Sequence, residues 1–125
     1  MGRIKEEIRV DGLKCWTLFD ISARNTYITP EVARHLTVSR LKGPVRAALG
    51  GKVRRIRQTA ILEGKLQGRW FSTHARIVHK IGNDEDGRPI EILFGALAMQ
   101  EWGVRPIPEE ERLDLSHFTK EFIEF

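Results

Sequence analysis

The sequence predicts a mostly antiparallel β domain with two short helices. Three observations carry this: short segments with strand-type patterning, glycine-bearing turn pairs between them, and two segments bounded by helix start or stop signals. The 125 residues suit one domain with a single core. With 41% hydrophobic and 30% charged residues, the chain is too apolar for disorder and too charged to be embedded in a bilayer. The longest apolar run, near Ile92–Met99, is broken by Gly95 and is too short to span a membrane.

Ile4–Val10 and Leu13–Phe19 flank Asp11-Gly12, a hairpin turn signal. Cys15-Trp16-Thr17-Leu18-Phe19 is apolar on both faces, which predicts a buried strand delivering Asp20 at its end. Thr29-Pro30-Glu31 supplies a cap, a proline at the first helical position and an acid in the first turn, predicting a helix over Pro30–Leu36. Strands follow over Pro44–Leu49 and Lys52–Glu63, joined by Gly50-Gly51, with a further hairpin turn at Gly64–Gly68. In Arg69–His79, Phe71, Thr73, Ala75 and Ile77 share one face. Asn83–Arg88 is a polar loop. Ile90–Phe94 reads as a short buried strand, followed by Gly95 and a helix to about Trp102 that Gly103 ends. Arg112–Leu115 is a candidate final strand. No repeat, low-complexity stretch or linker interrupts the chain, so residues 1–115 form the domain and Ser116–Phe125 a tail. Phe118, Phe122 and Phe125 give that tail the spacing of a short packed helix or a partner-binding segment.

The net charge is +4, unevenly spread. Between Glu31 and Glu63 there is no acid, while Arg34, Arg40, Lys42, Arg46, Lys52, Arg54, Arg55 and Arg57 lie within. Such a stretch suits either an anionic partner or strand edges guarded against aggregation. Without interleaved stacking aromatics, nucleic acid is the less favoured partner, and any binding to it is expected to be nonspecific and salt-sensitive. The N-terminal Met1–Glu7 has no signal-peptide core, and Glu6 stands where a myristoylation signal needs Ser or Thr, so a cytoplasmic location is expected. Cys15 is the single cysteine, which excludes an internal disulfide and reads as a small core residue. His74 and His79 fall on opposite faces of a strand, and His35 and His117 are scattered, so no metal site is expected. Gly50-Gly51 lacks the spacing of a phosphate loop. Trp16, Trp70 and Trp102 read as core or interface anchors.

The chemistry concentrates around Asp20. A carboxylate at the mouth of an apolar strand, followed by small residues, serves either as a turn cap or as a functional acid. The order of parts is more informative. Phe19-Asp20-Ile21-Ser22-Ala23 precedes Thr26-Tyr27-Ile28 and a short helix; Leu49-Gly50-Gly51-Lys52 tips a hairpin; Leu93-Phe94-Gly95 runs into a second helix with Met99 four residues on. In this order the chain resembles the retropepsin-like aspartic proteases over Ile4–Leu115. The resemblance implies an all-β, retropepsin-like acid protease barrel with two short helices. Asp20 would be catalytic, Ile21, Ser22 and Ala23 its loop, Leu49–Lys52 a substrate-covering flap, and Leu93, Phe94 and Gly95 the late glycine motif. Ile21 stands where the family has Thr or Ser, Ser22 where it has Gly, and Leu97 where it commonly has Asp or Asn.

The activity so implied is that of a homodimeric aspartic endopeptidase acting on a peptide or protein substrate, without cofactor, metal or membrane. Each subunit supplies one Asp20; the pair shares a proton and activates a water, with greatest activity at acid to mildly acid pH. Ile21 and Ser22 motivate an alternative, a protease-fold dimer acting as a binding or assembly module. The acid-free stretch motivates another, a basic nucleic-acid-binding β-barrel. A dimer interface built from apolar residues of both termini, Trp102 among them, is expected.

Overall fold

Three two-residue turns frame the molecule, which a computed structural model describes over residues 3–119. Asp11-Gly12, Gly50-Gly51 and Gln67-Gly68 all have positive φ at both central residues (51° and 81°, 60° and 79°, 50° and 78°). That backbone matches the twist of a tight hairpin, and glycine adopts it without steric cost. These turns join β1 (Arg3–Val10) to β2 (Leu13–Asp20), β4 (Val38–Leu49) to β5 (Lys52–Leu66), and β5 to β6 (Arg69–Ile77). The remaining strands are short: β3 (Thr26–Ile28), β7 (Gly82–Asn83), β8 (Pro89–Ile90), β9 (Ile92–Phe94), β10 (Arg105–Ile107) and β11 (Arg112–Asp114). The described residues also form two helices, α1 (Pro30–Ala33) and α2 (Ala96–Trp102), and a 3-10 turn at Pro108–Glu110.

Seven strands form one sheet in the order β1-β2-β9-β3-β6-β5-β4. An extra pairing of β1 with β5, at Arg9 and Lys65, brings the sheet round onto itself. At its centre β9 runs parallel to β2 and antiparallel to β3. All three β9 residues are buried, which explains an uninterrupted apolar triplet where a half-exposed strand would alternate. Phe19, Phe71 and Phe94 fill the core from three different strands; the Phe94 ring lies 5.0 Å from Phe19 and 5.3 Å from Phe71. Burying each such ring contributes about 2–3 kcal/mol. A second, smaller cluster gathers Tyr27, Leu49, Ile56, Val78 and Leu93.

Several elements differ from the sequence expectation. The turn expected at Gly64–Gly68 is confined to Gln67-Gly68, and Gly64 lies inside β5. A Cβ on Gly64 would come within 2.9 Å of the Arg9 carbonyl oxygen, so this glycine serves the β1–β5 crossing. β4 begins at Val38, well before Pro44, and its register against β5 shifts between Arg40 and Val45, where a bulge absorbs Gly43 and Pro44. The first helix stops at Ala33, and its chain continues to Leu36 as turns closed by His35 to Val32 and Leu36 to Ala33 bonds. Ile90 and Ile92 belong to separate strands because Ile90 pairs with Gly82 of β7, while Ile92 pairs with Thr17 of β2 and Ile28 of β3. β2 alternates: Cys15, Thr17 and Phe19 are buried, while Trp16 and Leu18 are half-buried.

Helix α2 ends as expected at Gly103, whose φ of 70° is left-handed. A Cβ there would also collide with the His117 carbonyl. Trp102 is buried within this chain, so it is not an exposed interface anchor: its indole donates to the Ser72 carbonyl and its ring packs on Phe118. Ser116–Thr119 form a turn and extended chain against α2, and Phe122 and Phe125 lie outside the described residues. No helix among the described residues is long and apolar enough to cross a membrane.

Candidate active site

Asp20 closes β2 and is 4% exposed. Its position follows from strand pairing. The Asp11-Gly12 turn sets Val10 opposite Leu13, and the unbroken register then brings Arg3 opposite Asp20. The chain reverses at once beyond Asp20, with the Ala23 amide donating to the Asp20 carbonyl at 3.1 Å. That turn aims the Ser22 amide and hydroxyl at the carboxylate: both donate to Oδ1, at 2.9 and 2.6 Å. The other oxygen, Oδ2, meets the Arg3 guanidinium Nε at 3.2 Å. Both oxygens of a nearly buried acid are thus engaged, as a carboxylate in such a place requires.

The late glycine motif is built into the same place. Phe19 pairs with Phe94 and Leu18 with Leu93 across β2 and β9, so Gly95 follows directly beside the end of the Asp20 strand. The Gly95 amide donates to the buried Thr26 hydroxyl at 3.1 Å. The next two amides, of Ala96 and Leu97, donate to the carbonyls of Ala23 and Arg24 at 2.7 and 3.1 Å. The first turn of α2 therefore uses its otherwise unpaired amides to clamp the loop that carries Ser22.

A cleft of about 490 Å³ opens over this loop. Its walls include Asp20, Ser22 and Ala23 from the loop, Leu18 and Leu93 from the central strands, and Ala48, Leu49 and Gly50 from the β4–β5 hairpin tip. Leu49 is buried in the small cluster with Leu93 and Tyr27, which holds the tip down over the cleft. The sequence-predicted residues thus converge, with exceptions. Phe94 and Gly95 stand outside the cleft lining, as do Gly51 and Lys52 on the far side of the turn. Ile21 is absent from the lining too, its side chain 55% exposed at the loop tip.

The structure adds residues that sequence reasoning missed. Arg3 and Lys5 from β1, and Ile81–Glu85 with Ile90, form the opposite wall. That wall is strapped down: Lys5 pairs with Glu85 at 2.6 Å, and the Trp16 indole donates to Asp84 at 2.8 Å. Arg88 stacks over the Trp16 ring at 4.1 Å and pairs with Glu7 at 3.2 Å. Desolvation pushes the Asp84 carboxyl upward, but hydrogen bonds from the Arg88 amide, the Trp16 indole and the Asp86 amide outweigh it and hold the group below the usual carboxylate range. Asp84, Glu85 and Asp86 form the one acidic cluster of metal-binding dimensions among the described residues; Asp84 Oδ1 accepts from the Asp86 and Arg88 amides of the loop, and Oδ2 from the Trp16 indole of β2. Cys15 is fully buried, consistent with a core role; burial, helped by the Glu91 charge, pushes its thiol up to about 12.

No protein-family model matches the chain, and no curated protein matches it in sequence. Solved structures do match in shape. The retroviral protease-like domain of Ddi1 from Leishmania major superposes with a TM-score of 0.61 at 8% identity, over 94% of this chain and 88% of that one. The EIAV protease, solved with the inhibitor HBY-793, gives 0.54 at 15% identity, over 84% and 92%. The foamy viral protease-reverse transcriptase gives 0.56 at 11% identity, over 86% of this chain; this chain spans only 13% of that protein. With its seven-stranded sheet, its clamped aspartate loop and its overhanging glycine-tipped hairpin, this chain has the retropepsin-like fold.

Proposed function

We propose that the protein is an aspartic endopeptidase that works as a homodimer, with Asp20 of each subunit activating one water between them. The observation that carries this reading is Asp20 itself: a nearly buried carboxylate at a cleft floor, hydrogen-bonded by Ser22 and roofed by the Gly50-Gly51 hairpin. A single chain brings one such acid to the cleft, so a second copy related by a two-fold axis completes the pair. Two carboxyls at hydrogen-bond distance share one proton; one then acts as base toward the water and the other as acid toward the peptide carbonyl oxygen. The hairpin tip covers an extended peptide and excludes water.

Ile21 and Arg3 favour a second reading, a dimer of the same fold that binds peptide without cutting it. Ile21 offers no hydroxyl, and Arg3 already neutralises the Asp20 charge. Cleavage of a mixed peptide library from acid to neutral pH, alongside the solution mass, separates the two. Endopeptidase function requires cleavage that Asp20→Asn reduces by about 100-fold or more while the fold survives. Dimerisation without any cleavage supports the binding module, and a stable monomer of 14.4 kDa that does not cleave overturns both.

A further inference from the structure

The β4–β5 hairpin carries a cationic face and an open edge, and the reading of the Asp20 site absorbs neither. Arg46 and Arg55 are direct cross-strand partners, and both are exposed. Like charges placed opposite each other destabilise a strand pair. Arg57 follows Arg55 at strand periodicity, and Arg40 and Lys42 lie further along β4; all three are exposed. None of these five cations has an ion-pair partner among the described residues, and no acid occurs between Glu31 and Glu63. β4 is also the last strand of the sheet, paired with β5 alone, so its outer backbone groups are unmatched by any other strand.

We propose that this edge docks an acidic, extended polypeptide segment. The open edge supplies backbone hydrogen bonds to an added strand, and the arginines supply paired contacts to its carboxylates. Neutral or cationic strands gain nothing from the arginines, which is how basic edges ordinarily prevent aggregation; an acidic strand reverses the sign of that term. A polypeptide fits better than a nucleic acid because the hairpin holds no aromatic residue for base stacking, and an edge strand's ladder matches a peptide backbone. The contact lies on the Arg40–Arg46 stretch of the edge with Arg55 and Arg57, away from the Ala48–Gly50 tip that lines the Asp20 cleft, and does not rest on peptide hydrolysis.

The test is fluorescence anisotropy of the full chain with a labelled peptide of about twelve residues alternating Glu and Thr, long enough to span a strand. Its Gln-for-Glu counterpart and a single-stranded oligonucleotide of equal charge serve as comparisons. The acidic peptide should bind at least about tenfold more tightly than either, with affinity falling as salt rises. Arg46→Glu with Arg55→Glu should weaken binding about tenfold or more while the circular dichroism spectrum is kept, and Asp20→Asn should leave it unchanged. Equal binding of the Gln peptide, tighter binding of the oligonucleotide, indifference to the double charge reversal, or loss of binding in Asp20→Asn would each overturn the proposal.

Discussion

Gly95 packs against the Asn25 carbonyl so closely that no Cβ fits between them. Its φ of −92° is one any residue adopts, so the glycine is required by space and not by backbone conformation. The contact is part of the clamp in which Thr26, Ala23 and Arg24 accept the successive amides of Gly95, Ala96 and Leu97.

Gly95→Ala should therefore be among the most damaging single substitutions in the chain. The obstacle is backbone, which has little room to yield, so a cost above about 3 kcal/mol is expected. Thermal unfolding should show a midpoint lowered by more than about 10 °C. Gly43→Ala, at a glycine with open space around it, should change the midpoint by only a few degrees. Equal effects at the two positions would refute the clamp.

Cys15 should resist thiol reagents in the folded protein. Its side chain is fully buried, and burial with the nearby Glu91 charge raises the thiol to about 12, so almost no thiolate exists at pH 8. Ellman's reagent should react with about one thiol per chain in denaturant and with none on the same timescale without it. Rapid native labelling would mean that β2 opens far more readily than its position between β1 and β9 implies.

Acid should weaken the fold through two half-buried carboxylates, Asp84 and Asp114. Asp114 is held below its ordinary value chiefly by the Ser116 amide and hydroxyl, and Asp84 by the bonds that outweigh its desolvation. A depressed folded value means that the unfolded chain binds the proton first, so both groups stabilise the fold above the unfolded value of about 3.9. That contribution is lost as pH falls through the lower folded values. Denaturant midpoints should fall as pH drops below about 4, and the fall should be shallower in Asp84→Asn and Asp114→Asn. Identical pH profiles for wild type and both variants would exclude these groups.

Much of this arrangement is legible in the sequence where local rules decide. Asp11-Gly12 and Gly50-Gly51 mark their turns, Gly103 ends its helix, and the order of the Asp20 and Gly95 motifs matches the fold found. Even Arg3 was reachable: counting back residue for residue from the Asp11-Gly12 turn places it opposite Asp20. What local rules miss is long-range. Gly64 reads as a turn residue, but its reason is the Arg9 carbonyl of a strand more than fifty residues away in sequence. The wall formed by Ile81–Glu85 depends on Trp16, Lys5 and Glu7, and no spacing in the sequence announces those contacts. The bulge between Arg40 and Val45 hides the start of β4 because Gly43 and Pro44 resemble a loop.

The sharpest remaining prediction concerns Ser22. Ser22 stands where the retropepsin-like proteases that the chain resembles have glycine, and its hydroxyl holds Asp20 Oδ1 at 2.6 Å while its amide holds the same oxygen at 2.9 Å. The hydroxyl thus supplies a support for the carboxylate that glycine cannot, and it does so within the same chain. Ile21 supplies no hydroxyl, and its side chain is exposed at the loop tip. On this view the carboxylate is supported within one chain, and Ile21→Thr with Ser22→Gly should not improve it. Ser22→Ala keeps the amide bond and loses the hydroxyl, so stability should drop by about 1 kcal/mol. If Asp20 works in hydrolysis, cleavage should fall about tenfold, carried by kcat more than by KM, because the serine positions the acid and not the peptide. Ser22→Thr should retain most of the rate. If two copies pair through this loop, as the proposed function requires, Ile21→Thr should raise the dimer dissociation constant without raising kcat, read by sedimentation equilibrium and by cleavage at saturating protein. A rise in cleavage from Ile21→Thr with Ser22→Gly would instead show that these two residues silence the site, and that Ser22 restrains Asp20 and does not support it.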